Sequence, residues 1–185
     1  LMTKQHPLDR IYRNAVAAHQ AGDLMNAARG YRNILEKNYS HLPSLNNLAA
    51  ILAALGKNSE AIKYYEKGLS EHPKSPELRA NFGNLLRQMG DLDGAAKQYA
   101  NCLENDPTMA EIRYALGIVL LSIGCPLDAK GHLQQAAENL KADPRPWIAL
   151  AALALESGHN DEANDVIAQA LEFSPCNADV NNMIG

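Results

Sequence analysis

The side chains best equipped for chemistry stand far apart in this 185-residue chain. Six histidines (His6, His19, His41, His72, His132 and His159) occur singly, with no HExxH pair and no cysteine–histidine set. The three cysteines, Cys102, Cys125 and Cys176, are odd in number and widely spaced. That fits neither a disulfide framework nor a metal site, and it points to a reducing cytosol. Glu60 and Glu66 alternate with Lys63 and Lys67 at the spacing of solvated helix ion pairs rather than of an acid–base site. No glycine-rich loop is placed to cradle a phosphate. The residue types therefore assemble no catalytic constellation, no metal site and no cofactor site, and function must be sought in binding.

The elements that would position a binding surface are set by a strict period. Glycine recurs every 34 residues, at Gly22, Gly56, Gly90, Gly124 and Gly158, and an alanine follows each five residues later, at Ala27, Ala61, Ala95, Ala129 and Ala163. A fixed period of this length marks a repeat array. Helical runs such as Ser44–Leu55 and Leu78–Met89 precede the glycines, and runs such as Glu60–Leu69 and Leu92–Leu103 follow them. Apolar residues recur there at three- and four-residue spacing, as one buried helix face requires. The glycine is expected to end the first helix in a left-handed conformation. The alanine lets the second helix lie close, where a larger side chain would cost roughly 1–3 kcal/mol by overpacking.

Junction residues supply helix starts. Ser75-Pro76 places a capping serine before a first-turn proline. Thr108-Met109-Ala110-Glu111 reads as a capping box. Asp143-Pro144 and Asn177 fit the same role, and Asp23 and Asp91 should cap second helices. Asp143-Pro144 falls three residues later in the period than Asp106-Pro107, which allows the second helix of the fourth repeat to overrun. The expectation is eleven helical segments and no strand.

With these residues the chain resembles the tetratricopeptide repeat family, in repeats 8–41, 42–75, 76–109, 110–143 and 144–177 and a partial sixth at 178–185. Residues 1–7 are expected to be an N-terminal extension, with Met2 as a candidate native start. The fourth position of the motif reads Ile11, Leu45, Arg79, Arg113 and Trp147, and the seventh Asn14, Leu48, Phe82, Leu116 and Leu150. The eighth is always small: Ala15, Ala49, Gly83, Gly117 and Ala151. The second-helix aromatic stands at Tyr31, Tyr65 and Tyr99, then gives way to Leu133 and Ile167. A closing proline stands at Pro73, Pro107 and Pro175, with Tyr39 and Lys141 in the other two repeats. Asn14, at a core position, and the missing prolines make repeats one and four the least typical. The resemblance implies an all-α, right-handed superhelical solenoid of antiparallel helix pairs. Ala178–Gly185 begins a sixth repeat without a polar capping face, so the native protein is expected to continue into further repeats or another domain.

Composition agrees with that architecture. Hydrophobic residues make up 46% of the chain, enough for a continuous seam, and the formal net charge is −4. No basic block is present, which argues against nucleic acid. The longest apolar stretches reach about half the length that crosses a bilayer. Membrane insertion is therefore not expected, and the reading is cytoplasmic.

In the family the first helix of each repeat lines a groove. Carried over position by position, the groove takes Tyr12 and Arg13 from repeat one, with Val16, His19 and Gln20. Repeat two gives Asn46 and Asn47, with Ala50, Ala53 and Ala54. Repeat three gives Asn81, Asn84, Arg87 and Gln88, with Glu77. Repeat four gives Tyr114, Ile118 and Leu121, with Ala115 and Ser122. Repeat five gives Ile148 and Leu155, with Arg145, Ala149, Ala152 and Glu156. The groove is thus amide-rich in its middle and apolar in its C-terminal half. Amides carry both donors and acceptors, so a ladder of them can grip a peptide main chain. Such a ladder resembles that in the arm of O-linked N-acetylglucosamine transferases; the alternative is that these asparagines serve packing. Likewise the apolar residues are either a binding patch or packing against neighbouring repeats. The clamp that chaperone-tail-binding repeats use is absent: Asn46 and Ala50 stand where lysine and asparagine belong, and Glu111 and Ala115 where the basic pair belongs. The function implied is a non-enzymatic scaffold or adaptor that binds a peptide or protein segment. The alternatives are the recognition arm of a larger bacterial glycosyltransferase or methyltransferase, which Ala18–Leu24 and Tyr31–Leu35 resemble, and a scaffold that self-associates through its C-terminal end.

Overall fold

The 34-residue period corresponds to ten α-helices in sequential antiparallel pairs, seen in a computed structural model that describes residues 7–173. They are α1 (Pro7–Gln20), α2 (Leu24–Lys37), α3 (Leu42–Ala54), α4 (Asn58–Glu71), α5 (Pro76–Gln88), α6 (Leu92–Asn105), α7 (Ala110–Ser122), α8 (Pro126–Asn139), α9 (Pro144–Glu156) and α10 (Asn160–Phe173). Among the described residues there is no strand. The eleventh helical segment expected at 178–185, and Pro175, Cys176 and Asn177, lie outside the described residues. The chain forms two compact units, divided between Leu85 and Leu86 within α5.

Each first helix ends the same way. Gly22, Gly56, Gly90, Gly124 and Gly158 all have φ between 72° and 83°. The residue after each glycine donates its amide to a carbonyl five residues back, as in Lys57 to Leu52 at 2.8 Å and Cys125 to Leu120 at 2.8 Å. This Schellman bond satisfies a carbonyl the helix leaves open, and it requires the left-handed residue that glycine supplies without a Cβ penalty. Five residues on, Ala27, Ala61, Ala95, Ala129 and Ala163 are all fully buried. At Gly117 the approach is also close, and an added Cβ would stand 2.7 Å from Leu133 Cγ.

The core is made of the periodic positions. Tyr31, Tyr65, Tyr99 and Leu133 are at most 2% exposed, and Tyr65 stacks on Phe82 at 5.4 Å between ring centroids. Burial pushes the Tyr65 phenol up to about 12. In unit two Leu133, Ala137, Trp147, Leu150 and Ala170 form one buried cluster. The fourth position has a polar duty besides packing. Arg79 and Arg113 donate to the carbonyls of Pro73 and Pro107 at 2.8 and 2.7 Å, and the Trp147 indole donates to the Lys141 carbonyl at 3.2 Å. Each pins the turn six residues upstream to its own helix.

The caps are mostly where the sequence puts them. Asp23 and Asp91 accept from the amides of Asn26 and Gly94 at 3.2 and 3.0 Å. Ser75 accepts from Leu78 and Asp143 from Arg145. Three expectations need correction. The capping box at Thr108 does not form: the Thr108 amide and hydroxyl both donate to Asp106 Oδ1, two residues upstream, and α7 is preceded by Met109 without a side-chain cap. The fourth repeat's second helix does not overrun. Leu140 closes α8 by donating to the Ala136 carbonyl at 2.8 Å, the bond that Asp106 makes to Cys102 one repeat earlier. Asn14 is exposed rather than in the core, because among the described residues no helix precedes α1 to cover it.

Candidate functional site

The residues expected to face a ligand are kept out of the core throughout: none of Tyr12, Arg13, Asn46, Asn47, Asn81, Asn84, Arg87, Gln88, Tyr114, Ile118, Leu121, Ile148 and Leu155 is buried. What they do differs between the two units.

In unit one the face is polar and its groups are tied to one another. The Asn47 amide on α3 donates to the Tyr31 hydroxyl on α2 at 3.2 Å. The Asn81 amide on α5 donates to Asn46 Oδ1 on α3 at 2.9 Å. Burial raises the Tyr31 phenol above its usual range, and the Asn47 bond opposes that rise. Tyr12 packs edge-on to His41 at 5.2 Å, and His19 edge-on to Tyr31 at 6.2 Å. Arg13 is exposed and Asn84 half-buried. The amides thus serve packing between helices. Each can make more bonds than the one it commits, so the face retains hydrogen-bonding capacity. Glu60, expected to pair within its own helix, reaches Arg32 on α2 at 3.5 Å.

In unit two the face is apolar. Tyr114, Ile118, Leu121 and Ile148 pack on the buried cluster below and are still partly exposed, while Leu155 is 48% exposed. Between the C-terminal halves of α7 and α9 lies an open hollow lined by Ile118, Leu121, Ser122, Ala149, Ala152, Leu153 and Glu156, with Gly124 and Pro126 at its edge. At the opposite end of the same helices stands a charged cluster. Arg145 pairs bidentately with Asp143 and reaches both oxygens of Glu111 at 2.9 Å, and its guanidinium lies 5.1 Å from the Tyr114 ring centroid. Bonding to Arg145 lowers the Asp143 carboxyl below its usual range, and the two acids push Arg145 up. Local sequence sets this geometry. Asp143 caps α9, and Pro144 and Pro146 occupy its first turn, where amides have no helical partner to lose. Arg87 and Gln88 are exposed at the end of α5, and Arg87 hydrogen-bonds to Tyr99.

Sequence reasoning missed Leu153, Pro126 and Leu127, and it missed the partners of Arg145. Leu127 carried a signal. It is apolar where the fourth pair's neighbours carry Asp93 and Asp161. Among the described residues no cluster of His, Cys, Asp or Glu is arranged to hold a metal, and no helix is long and apolar enough to cross a membrane.

Comparison with known proteins agrees with the geometry. Family models described as TPR repeat and Tetratricopeptide repeat match residues 83–124 and 52–98. The chain is a tetratricopeptide repeat protein. Among curated proteins it is similar to the Photosystem I assembly protein Ycf3 of Prochlorococcus marinus (strain MIT 9312), 35% identical over 92 residues that make up 44% of this chain and 53% of the relative. The same protein of Synechococcus sp. (strain CC9311) is 29% identical over 82 residues, 43% of this chain and 47% of the relative. The chain thus spans about half the length of the curated relatives it matches. Among solved structures, MamA superposes with a TM-score of 0.79 at 20% identity, covering 86% of this chain and 93% of MamA. YrrB, described as a TPR protein with an unusual peptide-binding site, superposes with a TM-score of 0.77 at 16% identity, covering 94% and 89%. At these identities the repeat protein shares the fold with them and nothing finer.

Proposed function

We propose that this chain is a non-enzymatic interaction module of the cytoplasm, acting as a scaffold or adaptor that binds a protein or peptide segment on the first-helix faces of its repeats. The observation that carries the reading is the α7/α9 face. Ile118, Leu121, Ile148 and Leu155 stay partly or largely exposed beside an open hollow, although buried positions lie one turn away on the same helices. A contiguous apolar surface in water marks an interface. In unit one Asn47, Asn81 and Asn84 add main-chain hydrogen bonding to a bound segment, alongside their packing role. The names of similar proteins support this: one relative is an assembly protein, and one structural neighbour has a peptide-binding site.

A photo-crosslinking residue at position 118 tests the proposal, with a control at exposed position 104 on α6. In native-host extract the position-118 probe should label discrete partners, and Ile148→Glu should abolish the labelling. Labelling confined to position 104 would overturn the assignment.

A further inference from the structure

Two hollows of unit two share a wall. One is the α7/α9 hollow. The other opens where the heads of α8 and α10 meet the tail of α9, and Leu127, Lys130, Ala154, His159 and Glu162 help line it. Pro126 and Leu153 line both. The apolar surface therefore runs on from Ile118 and Leu121, past Pro126 and Leu153, to Leu127. Leu127 is 87% exposed, far above what an aliphatic side chain packed against its own repeat would show. Single exposed leucines are common, but one that ends a continuous apolar strip belongs to an interface.

The surroundings of the strip are acidic. From Ile118 to Asp165 the chain holds seven of its 21 carboxylates and three of its 17 lysines and arginines, leaving 14 of each elsewhere. The whole formal charge of −4 thus belongs to this stretch. The cations there are engaged: Lys130 pairs with Glu162 at 2.6 Å, Arg145 with Asp143 and Glu111, and Lys141 lies over the Phe173 ring at 5.4 Å. Glu156 lines the hollow, Asp161 sits beside Glu162 at the head of α10, and Asp128 follows Leu127 at the head of α8.

We infer that unit two docks a cationic amphipathic segment of another protein. Its apolar side chains fill the strip from Ile118 to Leu127, and its lysines or arginines meet Glu156, Asp161 and Asp128. The inference rests on the proposal that the α7/α9 face binds a protein segment, and it adds the partner's charge and the path over the turn edge. An apolar floor supplies contact area without choosing a partner. Carboxylates on the rim do choose, because they steer cationic segments and repel anionic ones. Rim charges act within a Debye length, about 8–10 Å at moderate salt, so the preference weakens as salt rises.

Three fluorescein-labelled twelve-residue peptides test this by anisotropy titration against the full chain. They share one leucine spacing and carry lysine, glutamate or serine between the leucines. The lysine peptide should bind about tenfold or more tighter than the serine peptide, and the glutamate peptide weaker still. Ile118→Asp and Leu127→Ser should each weaken the lysine peptide, and the loss at Ile118→Asp should occur although the variant adds negative charge. Glu156→Lys with Asp161→Lys should reverse the preference between lysine and glutamate peptides. Leu127 and the rim acids are exposed, so their variants stay folded, and thermal melts check that Ile118→Asp, whose residue packs on the buried cluster, stays folded too. Equal binding of the lysine and glutamate peptides, both weakened by Ile118→Asp, would overturn the cationic preference and leave the apolar face standing. Lysine-peptide binding unchanged by Ile118→Asp and Leu127→Ser would overturn both. No binding of the lysine peptide would overturn the inference.

Discussion

The first-helix faces of the two units occupy the same motif positions and spend them differently. On α3 and α5, asparagines at these positions reach across to Tyr31 and to one another, so polar side chains hold neighbouring helices in register. On α7 and α9 the positions equivalent to Asn47 and Asn81 carry Ala115 and Ala149, and the face is built instead from Ile118, Leu121, Ile148 and Leu155. There the helices are held from below by Leu133, Trp147 and Leu150, and the upper surface is left apolar and partly open. A half-buried amide left without a partner costs more than a satisfied one gains, so polar groups at a repeat junction bond internally. Apolar groups carry no such obligation. The unit that looks better furnished for hydrogen bonding is thus the one whose amides are partly committed to its own packing.

The support beneath the apolar face is where the difference is largest. Leu133 is fully buried, 2.7 Å from where a Cβ at Gly117 would stand, and part of the cluster with Trp147. Leu133→Ala should cost about 2–5 kcal/mol. The single tryptophan reports on this cluster, so urea denaturation followed by Trp147 fluorescence should show the midpoint fall. A cost below about 1 kcal/mol would mean that α7 and α9 do not rest on α8 as described.

The surfaces come next. Ile118→Glu should weaken segment binding by about tenfold or more at a modest cost in thermal stability, because one side of the residue packs on the buried cluster and the other already meets water. Asn47→Ala with Asn81→Ala should show the opposite balance. Each substitution removes one internal hydrogen bond, worth about 0.5–1.5 kcal/mol, so the melting temperature should fall along with any loss of binding. Lost binding at an unchanged melting temperature would show that the amides serve the ligand and not the packing, and the contrast between the units would fail.

Most of the fold was legible because its determinants are local. A glycine that must adopt positive φ and an alanine that must sit at a helix crossing need no knowledge of distant residues. The failed capping box shows the limit of locality. Asp106 stands two residues before Thr108 and captures both its amide and its hydroxyl, a competition the box pattern does not encode. Which positions escape burial was also legible, from the motif register. Their partners were not. Asn81 meets Asn46 across 35 residues and Arg145 meets Glu111 across 34, and only packed helices bring those pairs together. The fourth-position arginines were opaque for the same reason, since their value lies in the carbonyls of Pro73 and Pro107.

Each unit also holds a histidine that burial keeps below its usual pKa. His41 precedes α3, and its Nδ1 accepts from the Ser44 amide at 3.3 Å; Asp9 opposes the shift. His132 on α8 is lowered by burial and by Arg113, with Asp128 opposing. The unfolded chain takes up these protons first as pH falls. The stability they contribute is therefore complete above about pH 6.5 and is lost as pH drops through the lower folded-state values. In unit one the loss has a structural counterpart, because a protonated Nδ1 cannot accept from Ser44. His41→Asn should keep the cap and remove this part of the acid sensitivity, read as a flatter melting temperature between pH 7 and pH 5. His132→Asn should remove the unit-two part without touching a cap. Equal pH profiles for wild type and both variants would show that neither imidazole is held neutral by the fold.

The smallest effect expected is at the charged cluster around Arg145. Arg145 is about half exposed and is gripped by two acids, of which Asp143 also caps α9. Glu111→Gln removes the cross-repeat ion pair but leaves the cap, the Asp143 pairing and the contact with Tyr114. Exposed pairs contribute about 0–1 kcal/mol, so the melting temperature should move by no more than about two or three degrees, and less in high salt. Binding at Ile118 and Leu121, at the other end of the same helices, should not change. A large loss of stability would mean that Arg145 and Glu111 hold α7 and α9 together. In that case the two units would turn out alike, each joining its first helices through polar side chains, and the apolar face would be a by-product of packing rather than a surface left open for a partner.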